Sequence, residues 1–139
     1  WGYGLSRGEP PDLWTPPPWA RHVAALLTLP AFVLIVAAYV PGNRIKAAVG
    51  HPMMLGVVVW AAAHLLSNGR LGDILLFGGV LAWSALGFRA ARARDRAAGT
   101  VYRSGSLARD AAVLAIGLLA WAGFAGFLHV WLIGVKPFG

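Results

Sequence analysis

Of the 139 residues, 58% are hydrophobic and 12% charged, and the mean hydropathy is +0.65, values outside the range of ordinary soluble domains. The chain therefore reads as an all-α, polytopic membrane bundle, because lipid-exposed backbone must satisfy its polar groups within each segment and the alternating strands of a barrel are absent. Without cysteine there is no disulfide framework, thiolate nucleophile or Cys-based zinc site, and the formal charge of +7 is laid out as a topology signal rather than a nucleic-acid footprint.

Residues 1–21, WGYGLSRGEPPDLWTPPPWAR, hold five of the nine prolines. Each proline removes a donor and restricts the residue before it, so this segment reads as extended and interfacial. Trp14 and Trp19, flanking Pro16 to Pro18, suit the aromatic belt of a membrane surface. The chain opens on Trp1 with no charged stretch leading into an apolar one, so no signal peptide is visible, and the natural start is expected upstream.

Residues 22–139 are expected to form one domain of four transmembrane helices, at roughly 22–40, 52–68, 71–88 and 110–133, each long enough to cross most of a ~30 Å hydrocarbon core. Pro30 implies a kink in the first, which ends at YVPGNR. The second begins at His51-Pro52, with proline where its missing N–H costs nothing. SNGRLGD is too short for anything but a tight hairpin, so the second and third helices are antiparallel neighbours, with Gly69 expected to supply a positive φ. Arg89 to Arg109 form the longest connection, in which RAARARDRAA reads as a basic interfacial helix broken by Gly99.

Arg89, Arg92, Arg94, Arg96, Arg103 and Arg109 face a single Asp95 in that connection, and Arg44 and Lys46 lie between the first two helices. The positive-inside rule places loops 41–51 and 89–109 in the cytoplasm, the latter against anionic lipid. The N-terminal segment, where Arg7 and Arg21 are offset by Glu9 and Asp12, the SNGRLGD turn and the KPFG tail then lie outside.

This topology sorts the histidines. His22, His64 and His129 share the outer leaflet, whereas His51 stands about 20 Å from His64 at the cytoplasmic edge, where it reads as a helix-start residue touching headgroups. Gly56, Trp60, His64 and Asn68 form one stripe of the second helix; Ala122, Ala125, Gly126 and His129 form a small-residue stripe on the fourth. Such a stripe leaves a groove or lets helices pack closely. Two imidazoles at equal depth are costly in lipid unless they face a partner, and facing imidazoles in a bundle suit haem iron or another transition metal. Interhelical hydrogen bonding and a proton relay are the other readings of His64 and His129. Asp73, Ser67 and Asn68 are the candidates to hold the remaining ring nitrogens, with capping or pairing to Arg70 the default for Asp73. Five carboxylates, isolated serines and the absence of phosphate-loop, EF-hand or HExxH patterns give hydrolytic chemistry little support.

The run GHPMMLGVVVWAAAHLLSNGRLGDILLFGGVLAW, together with WGYGLSRGEPPDLWTPPPWARH and YVPGNRIK, resembles the NnrU family over nearly the whole chain. The resemblance implies a bacterial inner-membrane protein linked to denitrification, nitric oxide or redox metabolism, and its plant relatives, the 15-cis-ζ-carotene isomerases, use histidine-ligated haem b. By that likeness His51 of the HPM element and His64 of the AHL element are the family's histidines. It further implies N-terminal helices and another histidine beyond these residues. A weaker likeness of the HP element to isoprenylcysteine and phospholipid methyltransferases founders on Gly50, where those enzymes carry arginine, and on the lack of a downstream glutamate pair. The expected cofactor is haem b, with His64, His129, His51 and His22 as candidate binding residues and His64 and His129 as iron ligands. Alternatives are a non-catalytic accessory subunit, packed against a larger complex or its own copy through Gly/Ala faces, and a haem-dependent polyene isomerase.

Overall fold

A computed structural model describes residues 12–138. The expected outer charges Arg7 and Glu9 lie outside the described residues. The rest folds as helices α1 (Ala20–Tyr39), α2 (Arg44–Val49), α3 (Pro52–Ser67), α4 (Leu71–Ala97) and α5 (Leu107–Gly123), followed without a break by a π turn (Phe124–Leu128) and α6 (His129–Ile133). No strand occurs among the described residues, where a lone antiparallel bridge joins Asp12 to Arg70.

Among the described residues, three helical stretches are long and apolar enough to cross a membrane: α1, α4 and the continuous run Leu107–Ile133. The fourth expected span, α3, is apolar but has only 16 residues, about 24 Å of helix against a ~30 Å hydrocarbon core. Pro52 limits it at one end, and at the other Asn68 is already extended. Conversely, α4 runs 27 residues. The basic RAARARDRAA stretch continues the third apolar helix instead of forming a separate interfacial one, because its alanines and arginines are strong helix formers. Gly99, at φ +63°, follows its end.

α1 packs between α3 and α5, and α4 lies on the flank of α3. Small residues allow these approaches: a Cβ on Gly56 would sit 3.0 Å from the Ala31 carbonyl oxygen, and one on Gly117 would sit 2.9 Å from Val33 Cα. The core is correspondingly alanine-rich, with Ala31, Ala37, Ala61 and Ala63 fully enclosed. Pro30 lies inside α1, and the helix continues past it to Tyr39.

α3 and α4 pack against each other as the expected hairpin. The reason for glycine at its turn differs from the expected positive φ, which Gly69 does not adopt. The N-terminal segment crosses here, with Leu13 N–H donating to the Gly69 carbonyl at 2.8 Å. A Cβ on Gly69 would fall 1.8 Å from the Trp14 carbonyl oxygen.

Asn43 organises the opposite end. Its side-chain oxygen accepts from Lys46 N–H at 2.6 Å, capping α2, while its amide donates to the carbonyls of Ala37 and Val40 at the close of α1. Gly105 lies against the same turn, where Ser106 N–H donates to the Gly42 carbonyl at 3.0 Å. Asp110 accepts from Arg44 N–H at 2.7 Å.

Candidate functional site

Between α1, α3, α4 and the C-terminal run lies a half-open, mostly apolar cavity of about 460 Å³. His64 and His129 both line it. From α1 come Arg21, Ala25, Thr28 and Phe32; from α4 comes Phe77; Trp121 and Phe124 close the far wall.

His64 is held tightly for a membrane imidazole. Its ring lies 4.4 Å from that of Trp60 and 4.6 Å from that of Phe77, centroid to centroid, tilted 41° and 34°. Nδ1 is 2.8 Å from the carbonyl oxygen of Trp60, one turn back. A carbonyl only accepts, so Nδ1 carries the proton, and in the neutral ring Nε2 is left with its lone pair.

His129 reaches the same tautomer by another route. Its Nδ1 donates to the Val135 carbonyl at 2.7 Å, and its ring meets Phe124 edge-on at 5.8 Å. Val135 comes within reach because Gly134, at φ +79°, reverses the chain after α6. Phe138 then packs on Trp121 at 5.9 Å. The tail thus folds back, and Val135, Lys136 and Pro137 become part of the cavity wall.

Half of the small-residue stripe reaches the groove, where Ala125 and His129 line it. Ala122 and Gly126 are exposed, and no atom lies within 4 Å of the position a Gly126 Cβ would take. The π turn changes the register: its wider winding carries His129 to the cavity alongside Trp121, Phe124 and Ala125. Neither the π turn nor the reversal at Gly134 is visible as a period, though Gly134 before Lys136-Pro137 is a helix-stop pattern.

Of the side chains expected to support the imidazoles, two stand at the cavity. Ser67 and Asn68 line the cavity but bond backbone, Ser67 Oγ reaching the Ala63 and His64 carbonyls at 3.4 Å and the Asn68 amide reaching His64 O at 2.8 Å. Asp73 is buried in the first turn of α4 and is not among the lining residues. Backbone carbonyls take the Nδ1 protons of both rings. His22 is exposed and outside the cavity, since it lies roughly 100° round α1 from Arg21, which does line it.

His51 belongs to a different cluster at the far end of α3. Its Nε2 donates to Asp95 Oδ2 at 2.7 Å. The Tyr102 hydroxyl donates to the same oxygen, and the Arg92 guanidinium sits 5.7 Å from the Tyr102 ring centre. Gly50 closes this cluster, at φ +79° with a would-be Cβ 2.6 Å from an Arg92 nitrogen. The hydrogen bond to Asp95 is the main reason the Tyr102 hydroxyl titrates above its ordinary value. In the sequence Asp95 is only a minor charge in a basic loop, because the helical continuation that brings it beside His51 is a tertiary fact.

The model of the NnrU family, described as NnrU protein, matches residues 1–137. The chain belongs to the NnrU family. No curated protein and no solved structure matches it. Of the two histidines that the NnrU likeness singled out, His64 lines the cavity and His51 lies in the Asp95–Tyr102 cluster.

Proposed function

We propose that this NnrU chain is a bacterial inner-membrane protein that binds haem b in the cavity shared by His64 and His129 and serves nitrogen-oxide or redox metabolism. One observation carries the reading: two imidazoles from different helices enter one apolar cavity, each with Nδ1 committed to a backbone carbonyl, which leaves Nε2 as the ligating atom. Among the described residues no larger set of His, Cys, Asp or Glu converges, so the donors on offer suit a prosthetic group that needs only axial imidazoles. The cavity volume of about 460 Å³ falls in the ~300–1,000 Å³ range of cofactor sites. When bound, haem supplies one-electron and diatomic-gas chemistry. The protein's part is to hold the rings through Trp60, Phe77, Phe124 and the two carbonyls, and to exclude water with aromatic walls.

In the membrane, α3 serves as a fourth, short crossing, supported by its hairpin with α4 and its apolar sequence. The basic end of α4 then lies in the cytoplasm against anionic lipid, and the cavity faces the outer leaflet. The test is an absorption spectrum of the purified protein. A Soret band that His64→Ala shifts or abolishes is the expected result. A wild-type protein that shows no Soret band, even after haem is supplied, refutes the reading and favours a non-catalytic accessory subunit.

A further inference from the structure

We infer that the cavity accepts a ligand with an apolar body and a carboxylate end, and that Arg21 and Lys136 hold that end at the mouth; this rests on reading the cavity as a ligand site. Among the described residues that line it, the charged side chains are these two cations, with no carboxylate beside them. Arg44 and Arg70 elsewhere have aspartate partners, whereas Arg21 and Lys136 make no ion pair or hydrogen bond within the described residues. They come from opposite ends of the chain, and the fold brings them to one opening.

Lys136 is placed there by two anchors. Before it, the Val135 carbonyl is bonded to His129 at 2.7 Å; two residues after it, Phe138 packs on Trp121 at 5.9 Å. Pro137 stiffens the link between them. Arg21 follows Ala20, which is fully enclosed at the start of α1, so its backbone is equally fixed. Inside, the stacked rings of Trp60, His64 and Phe77 offer no partner for a carboxylate, whose burial without one is strongly unfavourable. At the mouth, charge-assisted hydrogen bonds to both cations are available while water still reaches the group. The cations therefore orient the ligand: acid end out, apolar body in. A propionate of a tetrapyrrole and the head of a lipid acid share this chemistry.

The test uses the full chain in non-ionic detergent and probes that contain no iron. Binding of metal-free protoporphyrin IX is compared with that of its dimethyl ester, and oleate with methyl oleate. The free acid of at least one pair is expected to bind about tenfold more tightly, with the preference lost in the Arg21→Gln/Lys136→Gln double variant and kept in Arg89→Gln, which removes an exposed cation outside the cavity. A preference confined to the porphyrins identifies a tetrapyrrole as the source, and one confined to oleate identifies a lipid acid. Equal binding of acid and ester in both pairs overturns the inference, as does a preference that survives in the double variant. Failure of the haem reading would appear in the absorption spectrum and leave this comparison untouched.

Discussion

A single absent methyl group sets how the N-terminal segment meets the hairpin. Because a Cβ on Gly69 would stand 1.8 Å from the Trp14 carbonyl oxygen, Gly69→Ala must displace backbone rather than a side-chain tip. The expected cost is about 1–3 kcal/mol, read as a lower unfolding midpoint in detergent. Trp121 offers a contrasting case: its indole N–H donates to the Ala25 carbonyl at 3.0 Å and to Thr28 Oγ1 at 3.1 Å. Trp121→Phe keeps an aromatic ring there and removes those bonds, for a loss of about 1 kcal/mol, since Thr28 still donates to Ala25 at 2.7 Å. Tyr102 gives a pH signature. Its hydroxyl binds its proton more tightly in the folded chain than its ordinary value near 10. The stabilisation is therefore complete below that value and declines as pH rises through the higher folded value, because the unfolded chain releases the proton first. Tyr102→Phe should abolish this part of the alkaline decline in thermal midpoint, with an unchanged slope counting against it.

At the scale of elements, junctions matter more than interiors. Asn43 is buried at 2% exposure and serves the end of α1 and the start of α2 at once. Asn43→Ala is expected to cost roughly 1–3 kcal/mol, more than an exposed cap, because two carbonyls also lose a donor. Chemical denaturation of the detergent-solubilised protein measures it. The π turn is the second such junction. Deleting Gly126, whose surroundings are open, would return the run to α-helical winding with one residue fewer, so His129 keeps its face, whereas inserting an alanine between Leu128 and His129 would turn it by roughly 100°. Under the haem reading the insertion should reproduce the spectrum of His129→Ala and the deletion should keep the wild-type spectrum; a wild-type spectrum from the insertion would show that the winding does not position the ring. Neither junction is encoded as a period. The Asn43 cap follows a visible Pro41-Gly42 stop, but α2 itself is six residues, too short for a hydrophobic repeat to reveal.

For the whole molecule, orientation rests on the arginine excess of the α4 end and the following loop. A reporter fused after Gly99 should be active only in the cytoplasm, and activity solely on the outer side would invert the proposed topology. The all-helical architecture, the α3–α4 hairpin and the meeting of His64 and His129 at one cavity were legible in the sequence. Lipid forces each apolar run to satisfy its own backbone, a three-residue turn leaves one way to connect two helices, and residue counts along helices translate directly into depth. What tertiary structure alone decided was direction and partnership. It set which carbonyl takes each Nδ1 proton, how the π turn and the reversal at Gly134 carry His129 and Lys136 to the cavity, and how His51 meets Asp95. Those outcomes depend on angles around helices and on chain segments far apart in sequence, and a shift of one residue in winding changes them while leaving hydropathy untouched.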